Sequence, residues 1–384
     1  MATYNSLRTD FLGSQFDNPL VVASGTLTET FEQAQRFIEV GAGSVIPRST
    51  RLHVVREVHP SPHLFQSREN MINAEWTGAD ITYWRPYLEE LGKQNPKVIM
   101  SISGRNIADC VTVCRELDQY NFPILEINVS CAASSGVHGQ ITRDQEFVKQ
   151  LCDSIKNAGV KTPISMKLGH SDGIIEVAGS AKEAGADAIT AINTLGPVLD
   201  FYIDENGKPQ RVVGISGAKG GLSGSAIFNT ALTDVAEISR QIEIPVMASG
   251  GIMKPEDAVK MVMAGAGLVQ LYTVLHRHGI SAPRALTSFR EKLLDYMDAH
   301  NIQALSNVRG SALSLMEEET ELTPQIPTVN AMKCIGCIAC TQVCLPGAIK
   351  LPVVDGRKIV RISDEQCVGC GHCVSVCPKD ALSL

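Results

Sequence analysis

Eight of the twelve cysteines fall between positions 334 and 377, in two copies of one spacing. Residues 334–346 read CIGCIACTQVCLP and residues 367–378 read CVGCGHCVSVCP. Both are C-x2-C-x2-C-x3-C, with proline two residues past the last cysteine in the first run and directly after it in the second. Thiolates are soft enough to hold iron and sulfide, and three cysteines spaced this tightly let one loop wrap three corners of a cubane. In that arrangement the fourth cysteine of each run ligates the other cluster. Cys334, Cys337, Cys340 and Cys377 are therefore expected around one [4Fe-4S] cluster, and Cys367, Cys370, Cys373 and Cys344 around a second. Paired C-x2-C motifs also build zinc sites, but a duplicated four-cysteine run favours the two clusters.

This segment resembles a bacterial-type two-cluster ferredoxin, which implies one-electron transfer. Before it, the acidic, proline-containing stretch at 315–331 has the composition of a linker. The expected division is residues 1–314 as a large domain with a terminal helix, 315–331 as linker, and 332–384 as the iron–sulfur domain. The N-terminus has no apolar run with a basic flank, and no stretch offers about 18 uninterrupted apolar residues, so a cytoplasmic protein is expected, with no membrane partner. The net charge of −7 argues against nucleic acid.

In the first 300 residues, eight short apolar runs alternate with helix-like stretches: 19–24, 44–49, 97–103, 124–130, 164–168, 188–193, 244–250 and 268–273. Eight such repeats predict a (β/α)8 TIM barrel, whose chemistry sits at the C-terminal strand ends. Polar residues fall there: Ser24, Arg48, Ser101 with Ser103, Asn128 with Ser130, Lys167, Asn193 with Thr194, Ser249 with Gly250, and Tyr272 with Thr273. Barrels bind phosphate with the loops after strands seven and eight. Those loops, at Gly250–Gly251 and Tyr272–Thr273, with GGLSG at 220–224 after strand six, predict a phosphate cradle for a phosphorylated flavin.

The motifs VVASGT, MINAE, EINVSC, SMKL, AINT, GGLSG and ASGGI resemble, in order, those of the class 1 dihydroorotate dehydrogenase barrel and of the pyrimidine-reducing barrel of dihydropyrimidine dehydrogenase. The second resemblance is the nearer, because that barrel is also followed by a two-cluster ferredoxin segment. It implies FMN held by Ala23, Ser24, Arg48, Glu75, Lys167, Ser223, Gly224, Gly250, Gly251, Tyr272 and Thr273. Lys167 lies beside the flavin N1 and O2, where a cation stabilises the reduced anionic ring. Substrate residues map onto Asn73, Asn128, Asn193 and Thr194; asparagine offers both donor and acceptor to a cyclic amide edge. The catalytic residues implied are Cys131, with Ser130 beside it, and Lys167. Two positions depart from the family pattern: Ala132 and Ala133 follow Cys131 in place of proline and asparagine or histidine, and Arg48 stands where lysine is usual.

The expected activity is reduction of a conjugated C=C bond in a pyrimidine-like cyclic amide or imide. FMN N5 supplies the hydride, Cys131 supplies the proton, and electrons arrive through the clusters. No G-x-G-x-x-G opens a βαβ unit, so the donor is expected to be an NAD(P)H-oxidising flavoprotein subunit or a soluble ferredoxin, in an oligomer. The alternatives are dihydroorotate oxidation with Cys131 as base, and an electron-relay subunit of a larger complex. Cys110, Cys114 and Cys152 lie in helix-like contexts and are expected to be core residues, and His138 is read as either a solvated loop residue or a substrate contact.

Overall fold

The structure is a computed structural model that describes residues 2–53, 63–65, 69–73, 80–129, 144–211, 219–316, 324–354 and 356–384; the side chains of residues 63–65, 73, 211 and 219 are outside the description. The chain divides into two compact units, Met1–Met316 and Glu317–Leu384.

Each of the eight apolar runs contains a strand: β1 Leu20–Val22, β2 Ser44–Val45, β3 Met100–Ile102, β4 Leu125–Asn128, β5 Ile164–Leu168, β6 Ala188–Ala191, β7 Val246–Ser249 and β8 Leu268–Leu271. They form one parallel sheet in the order β2-β1-β8-β7-β6-β5-β4-β3. Parallel bridges Val45↔Val98 and Thr50↔Ile102 join its two outer strands. There the Val45 amide donates to the Lys97 carbonyl at 2.9 Å and the Ile99 amide to the Val45 carbonyl at 3.0 Å. Every strand thus neighbours its sequence neighbours around a (β/α)8 barrel. The runs are continuous rather than alternating because both faces are covered, by barrel interior and by helices.

The helices show why they start and stop where they do. In α1 (Phe31–Glu39), the Thr30 side chain accepts from the Gln33 amide and Gln33 reaches back, a capping box, while Ala34 and Phe37 face the core. The next are α2 (Leu88–Lys93), α3 (Ile107–Leu117), capped by Asn106, and α4 (Gln145–Asn157), capped by Asp144. Along α4, Val148, Leu151, Cys152 and Ile155 form one buried stripe at helical spacing. Then come α5 (Ile174–Glu183), α6 (Phe228–Gln241), α7 (Pro255–Met263) and, after the barrel closes, the terminal α8 (Ala282–Ala299).

The barrel interior is divided by polarity. Near the N-terminal strand ends, Val21, Ile46, Ile99, Ile124, Ala188, Met247 and Leu268 pack with Phe11 and Phe16 of an N-terminal hairpin, which closes that end with apolar surface. Farther along the strands, Ser101, Glu126, Ser165, Lys167, Thr190 and Gln270 are all buried. Barrel interiors are ordinarily filled by branched apolar residues, so a polar layer must carry its own hydrogen bonds.

Two strand-to-helix connections meet in a four-stranded antiparallel sheet, ordered Leu195–Leu199, Lys219–Gly224, Asn70–Asn73, His63–Phe65. The GGLSG segment expected as a phosphate loop is therefore a strand, registered Gly221↔Asn73 and Ser223↔Met71, and only its end reaches the barrel mouth. Among the described residues no helix is long and apolar enough to cross a membrane.

The small unit has three two-stranded antiparallel pairs: Thr328–Val329 with Leu382–Ser383, Ile349–Lys350 with Arg361–Ile362, and Val353–Val354 with Arg357–Lys358. Thr328 and Val329 fall inside the stretch expected as linker, yet they pair within this unit. Its core consists of Cys334, Cys340, Ile349, Val360, Cys373, Ala381 and Leu382. So few apolar side chains leave a core of this size short of stabilisation unless a metal group supplements it.

Candidate active site and cluster cavities

One cavity opens at the C-terminal strand ends of the barrel, where the sequence pattern places the chemistry. Its wall includes Ala23 and Ser24 after β1, Arg48, Ser49 and Arg51 after β2, Ser103, Asn128, Lys167, Asn193 and Thr194, Ser223, Ser249 to Gly251, and Gln270, Tyr272 and Thr273. Of the residues expected to hold FMN, Ala23, Ser24, Arg48, Lys167, Ser223, Gly250, Gly251, Tyr272 and Thr273 are brought together here. Gly224 lies beside them at the strand end, with φ +99°. Cys131, Ser130, Glu75 and His138 lie outside the described residues, and Asn73 is described by backbone alone.

Gly250 and Gly251 explain themselves sterically. Both have positive φ, +114° and +74°, which side-chain-bearing residues rarely adopt. A Cβ on Gly250 would sit 2.9 Å from the Ala231 Cβ, and one on Gly251 would sit 2.5 Å from the Phe228 backbone nitrogen. Close by, the Thr273 hydroxyl donates to Ser223 Oγ at 2.9 Å, both buried. Two glycine backbones and two hydroxyls make a cradle suited to a phosphate.

Lys167 lines the same cavity at 4% exposure. Its Nζ donates to Gln270 Oε1 at 2.9 Å and to Glu126 Oε1 at 3.4 Å. Glu126, fully buried, also accepts from Gln270 Nε2 at 2.6 Å, Ser101 Oγ at 3.3 Å and Thr190 Oγ1 at 3.3 Å. A lone buried charge would be prohibitive; paired and surrounded by donors, the two can coexist. A phosphate cradle and a buried cation in one cavity fit a phosphorylated flavin, whose reduced ring carries negative charge.

The asparagines meet as expected. Asn193 Nδ2 donates to Asn128 Oδ1 at 3.1 Å, and the Thr194 amide donates to Asn193 Oδ1 at 2.8 Å. Arg48 lines the cavity but is also paired with Glu29 at 3.0 Å. The Tyr272 hydroxyl meets Thr26 Oγ1 at 2.9 Å, and burial pushes its pKa up. Sequence reasoning missed four wall or floor residues: Glu126, Gln270, Ser49 and Arg51. Arg51 is buried and donates from Nε to Ser103 Oγ at 2.8 Å.

In the small unit the thiols sort into two cavities. One is lined by Cys334, Cys337, Cys340 and Cys377, the other by Cys344, Cys367, Cys370 and Cys373. This crosswise grouping is the one read from the spacing. Among the described residues no three His, Cys, Asp or Glu side chains close on one point as ligands of a single metal ion would. Cys110, Cys114 and Cys152 are buried on α3 and α4, and burial pushes their thiols up, Cys110 and Cys152 to about 12. They are core residues, as expected.

A family model described as dihydroorotate dehydrogenase matches residues 6–294. The chain belongs to the dihydroorotate dehydrogenase family. A 4Fe-4S dicluster domain model matches residues 333–381. The chain is similar to the catalytic subunit of dihydroorotate dehydrogenase B (NAD(+)) from Pyrococcus furiosus, with 29% identity over 80% of this chain and 99% of the relative. The Sulfolobus acidocaldarius subunit of the same name is 31% identical over 78% of this chain and 97% of the relative. That from Methanocaldococcus jannaschii is 31% identical over 71% of this chain and 88% of the relative. The crystal structure of the Eimeria tenella enzyme in complex with ferulenol shares the fold, with a TM-score of 0.63 at 18% identity over 80% of this chain and 88% of that one. This member of the dihydroorotate dehydrogenase family is an oxidoreductase acting on CH–CH bonds, with a 4Fe-4S dicluster domain following the barrel domain. The relatives carry the dihydroorotate name, which favours the oxidative alternative over the pyrimidine-reducing expectation.

Proposed function

We propose that the chain is the catalytic subunit of an FMN and iron–sulfur enzyme that interconverts dihydroorotate and orotate, or a close cyclic imide. The observation that carries this reading is the hydrogen-bonded pair Asn128–Asn193, which lines the same cavity as the buried Lys167. Two carboxamides offer the donors and acceptors that an imide edge requires. The names of the relatives support dihydroorotate as the ring.

Bound FMN would exchange an electron pair with carbon and single electrons with iron–sulfur centres. Ala23, Ser24 and Lys167 would hold its ring, and Ser223, Gly224, Gly250, Gly251 and Thr273 its phosphate. Asn128, Asn193 and Thr194 orient the substrate, with Asn73 as a fourth contact. Cys131 would carry the proton of the reaction: as base it would accept it during oxidation, and as acid return it during reduction. A thiol can both release and take up a proton, which permits both roles. Cys334, Cys337, Cys340 and Cys377 would hold one [4Fe-4S] cluster and Cys344, Cys367, Cys370 and Cys373 a second, which would supply one-electron transfer to or from a partner, an NAD-linked flavoprotein subunit as the relatives' names suggest. The dicluster domain keeps a second reading in view, in which the same site reduces a pyrimidine with electrons from that partner.

Steady-state turnover decides between them. The first reading expects dye-linked oxidation of dihydroorotate to exceed reduction of uracil or thymine by a reduced viologen. Uracil or thymine reduction without dihydroorotate turnover would replace it by the second. Cys131→Ala should abolish either turnover with flavin and cluster spectra intact, and full activity in that variant would remove the proton-transfer role.

A further inference from the structure

Hydrogen bonds run without interruption from the barrel core to the substrate side of the cavity. Ser101 Oγ donates to Glu126 Oε1 at 3.3 Å, Ser49 Oγ lies 2.9 Å from Ser101 Oγ, and Asn128 Nδ2 donates to Ser49 Oγ at 3.2 Å. Asn128 Oδ1 then accepts from Asn193 Nδ2 at 3.1 Å, and Asn193 Oδ1 from the Thr194 amide at 2.8 Å. Ser24 Oγ joins at Ser49, 3.5 Å away.

The direction of this chain follows from its buried end. Four donors converge on the two oxygens of Glu126, so the carboxylate is an acceptor at both. A hydroxyl has one hydrogen. Ser101 gives its own to Glu126 and must therefore accept from Ser49. Ser49, having given its hydrogen to Ser101, must accept from Asn128. That leaves Asn128 with Nδ2 toward Ser49 and Oδ1 toward Asn193, and Asn193 with Nδ2 toward Asn128. An asparagine amide otherwise has two orientations of similar shape and opposite hydrogen-bonding sense.

We infer that Glu126 is a positioning residue for substrate selection: through Ser101 and Ser49 it fixes the orientation of the Asn128 amide, as the Thr194 backbone amide fixes that of Asn193, and so it helps set the donor–acceptor pattern the site offers to a ring edge. This deepens the proposed function and rests on its assignment of the asparagines to the substrate. Sites that read hydrogen-bonding edges discriminate strongly, because a mismatched ligand leaves buried groups unpaired. In a Glu126→Gln variant the new carboxamide nitrogen could donate to Ser101 and permit the hydroxyls and the Asn128 amide to reverse, while the Thr194 backbone amide, a donor in either case, keeps Asn193 Oδ1 toward itself.

The test compares orotate with its 4-amino analogue, whose ring edge reverses donor and acceptor at position 4 and N3, by flavin difference spectra of the full FMN-loaded chain. Wild type should prefer orotate, and Glu126→Gln should narrow that preference at least tenfold, with Glu126→Asp restoring part of it. Equal weakening of both ligands, or no change in the ratio, would overturn the inference by showing a merely structural role. A ligand-independent arm measures urea midpoints for Glu126→Gln, Asn193→Ala and the double variant. Their effects should be non-additive, and should become additive once Ser49→Ala cuts the chain; additivity in the uncut protein would also overturn the inference. If wild type binds neither ligand while the midpoints remain non-additive, the coupling stands and the proposed substrate class falls.

Discussion

Replacing Gly251 by alanine tests the phosphate cradle with a single methyl group. Its φ of +74° alone costs a side-chain-bearing residue about 1–2 kcal/mol. The added Cβ would also stand 2.5 Å from the backbone nitrogen and Cα of Phe228, the first residue of α6. That helix start is backbone rather than a movable side chain, so the loop must yield, and strain from overpacking of this kind typically costs about 1–3 kcal/mol. Together these come to about 3 kcal/mol. Borne wholly by the FMN-bound conformation, that weakens FMN roughly a hundredfold, at about 1.4 kcal/mol per tenfold. Gly159 is the control: its φ is +82°, nothing lies within 4 Å of its would-be Cβ, and it follows α4, away from the cavity wall. Gly159→Ala should lose about 1–2 kcal/mol of stability and keep wild-type FMN affinity. The assay is FMN titration of the apoprotein by fluorescence quenching, with urea melts of each variant. If Gly251→Ala binds FMN within about threefold of wild type, a difference of only ~0.7 kcal/mol, the cradle is misplaced.

Three further outcomes follow from the same geometry. Cys110 and Cys152, with thiols pushed up to about 12 by burial, should resist maleimide at about pH 8 in the native protein and react on unfolding; native labelling of either would contradict their packing. Hydrogen bonds from Lys254 and Lys260 hold the Glu256 carboxyl down to about 2, so its stabilisation is present above the ordinary carboxylate range and is lost as pH falls through about 2. Because the pair is partly exposed, Glu256→Gln should cost under about 1 kcal/mol around neutral pH and nothing at about pH 2, read from thermal melts. Cys344→Ala should halve the iron content; adding Cys367→Ala should remove no more, while adding Cys334→Ala should remove the rest, whereas a chain whose runs each held their own cluster would give the reverse.

The barrel was legible because a strand covered on both faces must be apolar throughout, and all eight such runs contain strands. The four-stranded sheet over the mouth was not. Its Lys219–Gly224 strand holds three glycines and owes its form to register with Asn70–Asn73, a pairing between segments far apart in the chain that no local pattern records. Lys167 stood out as a polar side chain within an apolar strand, and that signal applied equally to Glu126 in ILEINVS and Gln270 in LVQLYT. They escaped notice because a strand residue declares its neighbours only once the barrel closes. The cysteines line two cavities in the grouping that the duplicated run suggested, the first three thiols of each run at one cavity and its fourth at the other.

In the proposed function this barrel exchanges an electron pair with the CH–CH bond of a dihydroorotate-type ring. Anaerobic mixing of the oxidised, FMN-loaded protein with dihydroorotate tests it in a single turnover. The expected result is bleaching of the flavin's visible absorbance with one orotate formed per electron pair stored, and no bleaching in Cys131→Ala on the same timescale. An unperturbed flavin spectrum in the wild-type protein, with FMN stoichiometrically bound, would contradict it.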